Sequence, residues 1–161
     1  MSEPLASPTK MVQLEIHKGP EVEIEVGGLR LVACRREVGD IDGGITLYVW
    51  GSPGDGGEDV EVLRCDLFRE RPHYHAPAEK QEESAMDVVD GGSVAWAISA
   101  LTTRAPELAE EAGFGSIGAA LDVEALASAG PALQSLFDRL EEPNEVSYFE
   151  VPASVLESLR Q

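Results

Sequence analysis

The chain has 161 residues, 43% of them hydrophobic and 26% charged, which is ordinary globular usage in a chain long enough to bury a core without disulfide or metal staples. Its formal net charge of -18 at pH 7 opposes the counterion release on which nucleic-acid binding depends and repels anionic membrane surfaces. Neither is expected as a partner, whereas a metal cation, a small molecule or a protein with a basic surface is compatible with that charge.

Residues 1–9 carry two prolines and no periodicity, and are read as a flexible tail ahead of a single α+β domain over 10–161. The first residues lack the basic start and apolar run of a secretory signal, and no stretch approaches the roughly 20 apolar residues of a membrane span, so a cytoplasmic protein is expected. Cys34 and Cys65 stand outside any CxxC spacing and are read as reduced thiols.

From Met11 the apolar residues alternate with polar ones: Val12, Leu14, Ile16; Val22, Ile24, Val26; Leu29, Leu31, Ala33; Ile45, Leu47, Val49. This is the period of half-buried strands. Gly27-Gly28 predicts a two-residue hairpin turn, because glycine alone takes positive φ at both central positions without penalty. Such a turn pairs Val26 with Leu29, Ile24 with Leu31 and Val22 with Ala33, and sets Glu25 opposite Arg30. A Gly/Asp loop over 51–59 leads into a further strand, Val60 to Phe68. Residues 10–78 therefore read as an antiparallel β-meander.

The period becomes helical from Ser93, where Val94, Ala97, Ile98 and Leu101 fall on one stripe. Pro106 predicts the opening of a second helix that Gly113 closes, and Pro131 the opening of another, with Leu133, Leu136, Phe137 and Leu140 on its apolar face. The helical layer covers 93–141. A returning strand over Val146 to Val151 and a terminal helix after Pro152 complete the chain. Strands first and helices afterwards give an α+β fold, with the helices packed on one face of the sheet.

The stretch RPHYHAP, Arg71 to Pro77, holds two of the three histidines. With a turn over Arg69 to Pro72, the strand period of two puts Leu63, Cys65, Leu67 and Tyr74 on one face and Asp66, His73 and His75 on the other. Two imidazoles at i, i+2 with a carboxylate beside them form the ligand set that zinc or non-haem iron uses when positions are left open for water or substrate. Glu70 is a candidate proton shuttle, and His17 an extra ligand if its strand lies alongside. The same segment, bracketed by Pro72 and Pro77, also fits a plain edge strand.

Tyr48 and Trp50 alternate with Leu47 and Val49 and are candidates to line a pocket on the second face. Asp87, Asp90 and Ser93 form a candidate ion or cap cluster ahead of the first helix. Glu21, Glu23 and Glu25 form an acidic outer face. No phosphate loop, dinucleotide fingerprint or nucleophile elbow is present. The residues thus support a small acidic protein with a divalent-metal or small-ligand site at Asp66, His73 and His75. The alternative is a non-catalytic accessory or inhibitor protein that binds a basic partner through its sheet edge or through Glu21, Glu23 and Glu25.

Overall fold

The computed structural model describes residues 10–53, 57–80, 82–88 and 92–159. The strands are β1 (Met11–Lys18), β2 (Val22–Val26), β3 (Leu29–Val38), β4 (Asp42–Gly51), β5 (Val60–Phe68), β6 (His73–His75), β7 (Ser84–Ala85) and β8 (Glu145–Pro152). The helices are α1 (Gly92–Glu111), α2 (Gly115–Ala120), α3 (Val123–Ala127), α4 (Gly130–Asp138) and α5 (Ala153–Leu159). The strands form one antiparallel sheet in the order β7-β6-β5-β4-β3-β1-β8, with β2 also paired to β3. The α+β reading of the sequence therefore holds. The segment read as a tail, and Asp90 of the cluster ahead of the first helix, lie outside the described residues.

The glycine hairpin forms as its sequence requires. Val22 pairs with Ala33, Ile24 with Leu31 and Val26 with Leu29, and Gly27 and Gly28 both take positive φ, 61° and 95°. Arg30 stands opposite Glu25 in the ladder, but its guanidinium reaches diagonally to Glu23 at 2.8 Å and to Asp59 at 3.4 Å. The cross-strand attraction is present with different carboxylates.

One connection differs from a simple meander. β1 does not fold back on β2. Both lie along the same side of β3, β2 against its first half and β1 against its last three residues. Pro20 has no N–H for the ladder and interrupts the strand, while the Gly19 N–H donates to the Arg35 carbonyl at 2.8 Å and keeps the chain on course through the break. The other edge of β1 is then free to pair with β8 along its whole length.

Helices α1 to α4 pack on one face of the sheet. Leu31, Ala33, Leu47, Leu63, Cys65, Leu67 and Tyr74 on the sheet pack with Ala97, Leu101, Leu108, Leu126, Leu133 and Leu136 from the helices in one core. Tyr74 stacks on Trp96 with ring centroids 5.4 Å apart. Arg104 leaves helical geometry (φ -146°, ψ 30°) just ahead of Pro106, so α1 is two helices across a kink, the break that a proline imposes on its predecessors. Because the side-chain period of a strand is two, covering the Tyr74 face leaves the side chains of Asp66, His73 and His75 on the opposite face, away from α1 to α4.

Candidate metal centre

Three central strands build the site. Asp66 on β5 lies opposite Thr46 on β4 and opposite His73 on β6, while Arg64 lies opposite Tyr48 and His75. The turn between β5 and β6 is two residues wider than expected: Asp66 pairs with His73, not with His75. Asp42 explains the width. Its carboxylate accepts the backbone N–H groups of Gly43 (2.8 Å), Glu70 (3.0 Å) and Arg71 (2.9 Å), which holds the connection open over the end of β4. A shift of two residues preserves the faces, so the same three side chains still converge.

The convergence is close. One ligand atom from each of Asp66, His73 and His75 lies within 4.8 Å of the other two. The Asp66 Oδ2 is 2.9 Å from His73 Nε2 and 3.7 Å from His75 Nε2, and Thr46 Oγ1 donates to Asp66 Oδ1 at 2.8 Å. Asp66 is 5% exposed and His73 8%. The His73 ring meets the edge of Phe68 at 6.0 Å and of His75 at 5.0 Å.

The far sides of both imidazoles are fixed. His73 Nδ1 lies 2.9 Å from the carbonyl of Arg71, and His75 Nδ1 lies 2.7 Å from that of Lys80. A carbonyl only accepts, so each Nδ1 must carry the proton and donate it. In a neutral ring the Nε2 then presents a lone pair, and both Nε2 atoms stand near the same ionised carboxylate. A positive group between them, a proton or a metal ion, would relieve the repulsion. For His73 a proton can serve: burial alone would lower its pKa, but the Asp66 hydrogen bond, the Arg71 carbonyl and the nearby carboxylates outweigh it and raise the value above the ordinary. Burial alone would likewise raise the Asp66 pKa, but the bonds from His73 and Thr46 and the charge of Arg36 hold it below the usual carboxylate range. A metal ion would satisfy all three groups at once. Tetrahedral zinc with bonds of about 2.1 Å holds its ligand atoms roughly 3.4 Å apart, and the two Asp66 distances bracket that spacing.

Two residues at the site were not singled out in the sequence. Thr46 orients Asp66 from the neighbouring strand, a role visible only once the β4–β5 register is known. Glu83 places Oε1 3.5 Å from His73 Nε2, while its other oxygen meets Arg71 at 3.1 Å. It belongs to the segment ahead of β7, which has no periodicity to give it away. Glu70, expected as a shuttle, is exposed in the β5–β6 turn with its backbone N–H on Asp42, while Glu83 stands beside His73. His17 stands opposite Glu37 and is 3.2 Å from Glu15. It projects to the face opposite Lys18 and Arg36, away from the cluster.

Tyr48 and Trp50 lie on the same face as Asp66, each under a guanidinium: Arg64 is 5.2 Å from the Tyr48 ring and Arg30 is 4.9 Å from the Trp50 ring. Trp50, Arg64, Lys80 and His75 line a cavity of about 620 Å³, which brings open volume to the His75 side of the cluster. Cys65 lies in the core, and burial pushes its thiol up to about 12, the behaviour of an inert thiol rather than a nucleophile. Glu21, Glu23 and Glu25 are all exposed, but Glu21 is 2.9 Å from Lys18 and Glu23 is 2.8 Å from Arg30. Much of their charge is answered within the chain.

Among the described residues no helix is long and apolar enough to cross a membrane. No curated protein and no solved structure matches the chain. A family model does match, over residues 23–136, a span that holds Thr46, Asp66, His73, His75 and Glu83 together with the strands that align them. The chain belongs to the family described as a domain of unknown function (DUF7700).

Proposed function

We propose that this protein binds one divalent transition metal, zinc or ferrous iron, through Asp66 Oδ2, His73 Nε2 and His75 Nε2. The observation that carries the reading is the pair of Nδ1-to-carbonyl hydrogen bonds, which turn two imidazole lone pairs onto one buried carboxylate oxygen. Carbonyl and hydroxyl partners behind the ligands are what metal sites use to fix tautomer and ring orientation; here Arg71, Lys80 and Thr46 supply them. Three protein ligands leave at least one position for water, as catalytic sites do and closed structural sites do not. An ion there would lower the pKa of its bound water, with Glu83 beside His73 as the group to accept a proton. The cavity that His75 lines is the side from which a small molecule would approach that position.

Elemental analysis of untagged protein, purified without chelator and desalted, tests this. About one equivalent of zinc or iron is expected for a site of this kind, with loss of metal in His73→Ala and Asp66→Ala. Absence of metal from the purified protein, together with failure to take up zinc or ferrous iron on titration, would overturn the reading.

A further inference from the structure

On the same face as the cluster, β8 and β1 face β3, β4 and β5 across a second cavity of about 220 Å³. Its walls carry Lys18, Arg36 and Arg64, with Glu145 as the one carboxylate. Tyr48 lies between the cations, its ring 5.2 Å from the Arg64 guanidinium and 6.0 Å from Lys18 Nζ. Ile16 of β1 and Ser147 and Phe149 of β8 complete the lining. Three cations in one cavity are a quarter of the 12 in the chain, and they gather where the strand register aligns them: Lys18 opposite Arg36, and Arg64 opposite Tyr48.

Their own partners leave donors to spare. Arg64 shares its guanidinium with Glu61 at 3.3 Å, and Lys18 meets Glu21 at 2.9 Å. For Arg36 the sole ion pair among the described residues is a long one, Nη1 to Asp66 Oδ1 at 3.9 Å. A guanidinium offers five N–H donors in a planar fork suited to carboxylate or phosphate. The larger cavity along His75 has the opposite balance, with Asp59, Glu61 and Glu79 against Arg64 and Lys80, so of these two cavities the smaller is the one suited to an anion.

We infer that the cavity between Lys18, Arg36 and Arg64 is an anion subsite that takes the carboxylate or phosphate group of a small organic molecule. Arg36 adjoins Asp66, and Arg64 stands beside His75 in the ladder. A molecule anchored there extends toward the histidines, which makes the substrate class of the centre a small organic anion. That last step rests on the proposed metal site; the anion subsite itself does not.

Calorimetric titration of the purified protein with malonate and with inorganic phosphate, at low and at physiological salt, tests the inference. Saturable binding of either probe that weakens with salt is expected. Loss of one charged hydrogen-bonding partner should weaken it about tenfold or more in Arg36→Gln and in Arg64→Gln. Arg35→Gln removes the same charge from the opposite face, where Arg35 pairs with Glu142 at 3.0 Å, and should leave binding unchanged. Retention of arginine-dependent binding in His73→Ala supports the subsite whether or not metal is found. Binding that is lost in His73→Ala yet unchanged in both arginine variants would place the anion on the metal and overturn the inference. So would the absence of saturable binding, or equal weakening in Arg35→Gln.

Discussion

Replacing Asp66 by Asn in protein stripped of metal should destabilise the fold by an amount that depends on pH. Asp66 and His73 are nearly buried, with side chains 7% and 10% exposed, so their interaction is little screened by solvent. The His73 pKa is raised in the fold; its contribution is complete below the unfolded value of about 6.5 and is lost as pH rises through the folded one. The Asp66 pKa is lowered; its contribution is complete above the unfolded value of about 3.9 and is lost as pH falls through the folded one. The pair therefore stabilises most between about pH 4 and 6.5. Asparagine keeps the shape and an acceptor for Thr46, and its amide can donate to a neutral His73 Nε2. It loses only the charge-assisted part, on the order of 2 kcal/mol for a hydrogen bond to a charged group. Urea denaturation in EDTA should thus show a deficit of about 2 kcal/mol near pH 5.5 that shrinks toward zero as the pH passes the raised His73 value. A deficit that is flat across pH 5 to 9, or that grows with pH, would refute the proton-bridged pair and the tautomers on which it depends.

Two further substitutions probe what surrounds the pair. Thr46→Val removes the hydroxyl that donates to Asp66 Oδ1 at 2.8 Å and should lower zinc affinity by about 10- to 100-fold, the usual effect of losing an orienting partner; an unchanged affinity in competition with a chromogenic chelator would count against Thr46 as a positioning residue. Gly27→Ala puts a Cβ at φ +61° and 2.6 Å from Leu126 Cγ, and should cost about 2 kcal/mol in a denaturant melt from backbone strain and contact together, whereas a loss near zero would show that the hairpin turn and α3 yield to each other freely.

What was legible in the sequence followed the short periods. The hairpin register from Val22 to Ala33 was set jointly by Gly27-Gly28 and by alternation, and both agree with the ladder. The faces of β5 and β6 were likewise legible although their turn was not: an error of two residues leaves every side chain on its own face, while an error of one would have separated Asp66 from the histidines. The turn width depends on Asp42, 28 residues before Glu70, and no local pattern announces such a bond. The same holds for β1. Its pairing with β8 brings together strands from opposite ends of the chain, and it is this pairing that closes the cationic cavity. Glu83 and Arg36 carry no periodic mark in the sequence: each stands near the site through a neighbour in space.

The face that the helices leave open raises the question of how a site there excludes water. It does so within the sheet. Asp66 lies between Thr46 and His73 in the ladder, with Phe68 against the edge of His73 and Arg36 beside its own carboxylate. His75, with its side chain 15% exposed, is the most open of the three. The carboxylate thus sits where charge-assisted bonds are strong, because the low local dielectric strengthens them, while the His75 side remains in contact with a cavity. A deeper layer of helices would have sealed the centre, and a flat exposed edge would have left its charges screened. Tyr74 facing the helices and His73 and His75 facing away are one consequence of the alternation in Arg71 to Pro77. The stretch thereby anchors the core with its tyrosine and brings its histidines to Asp66.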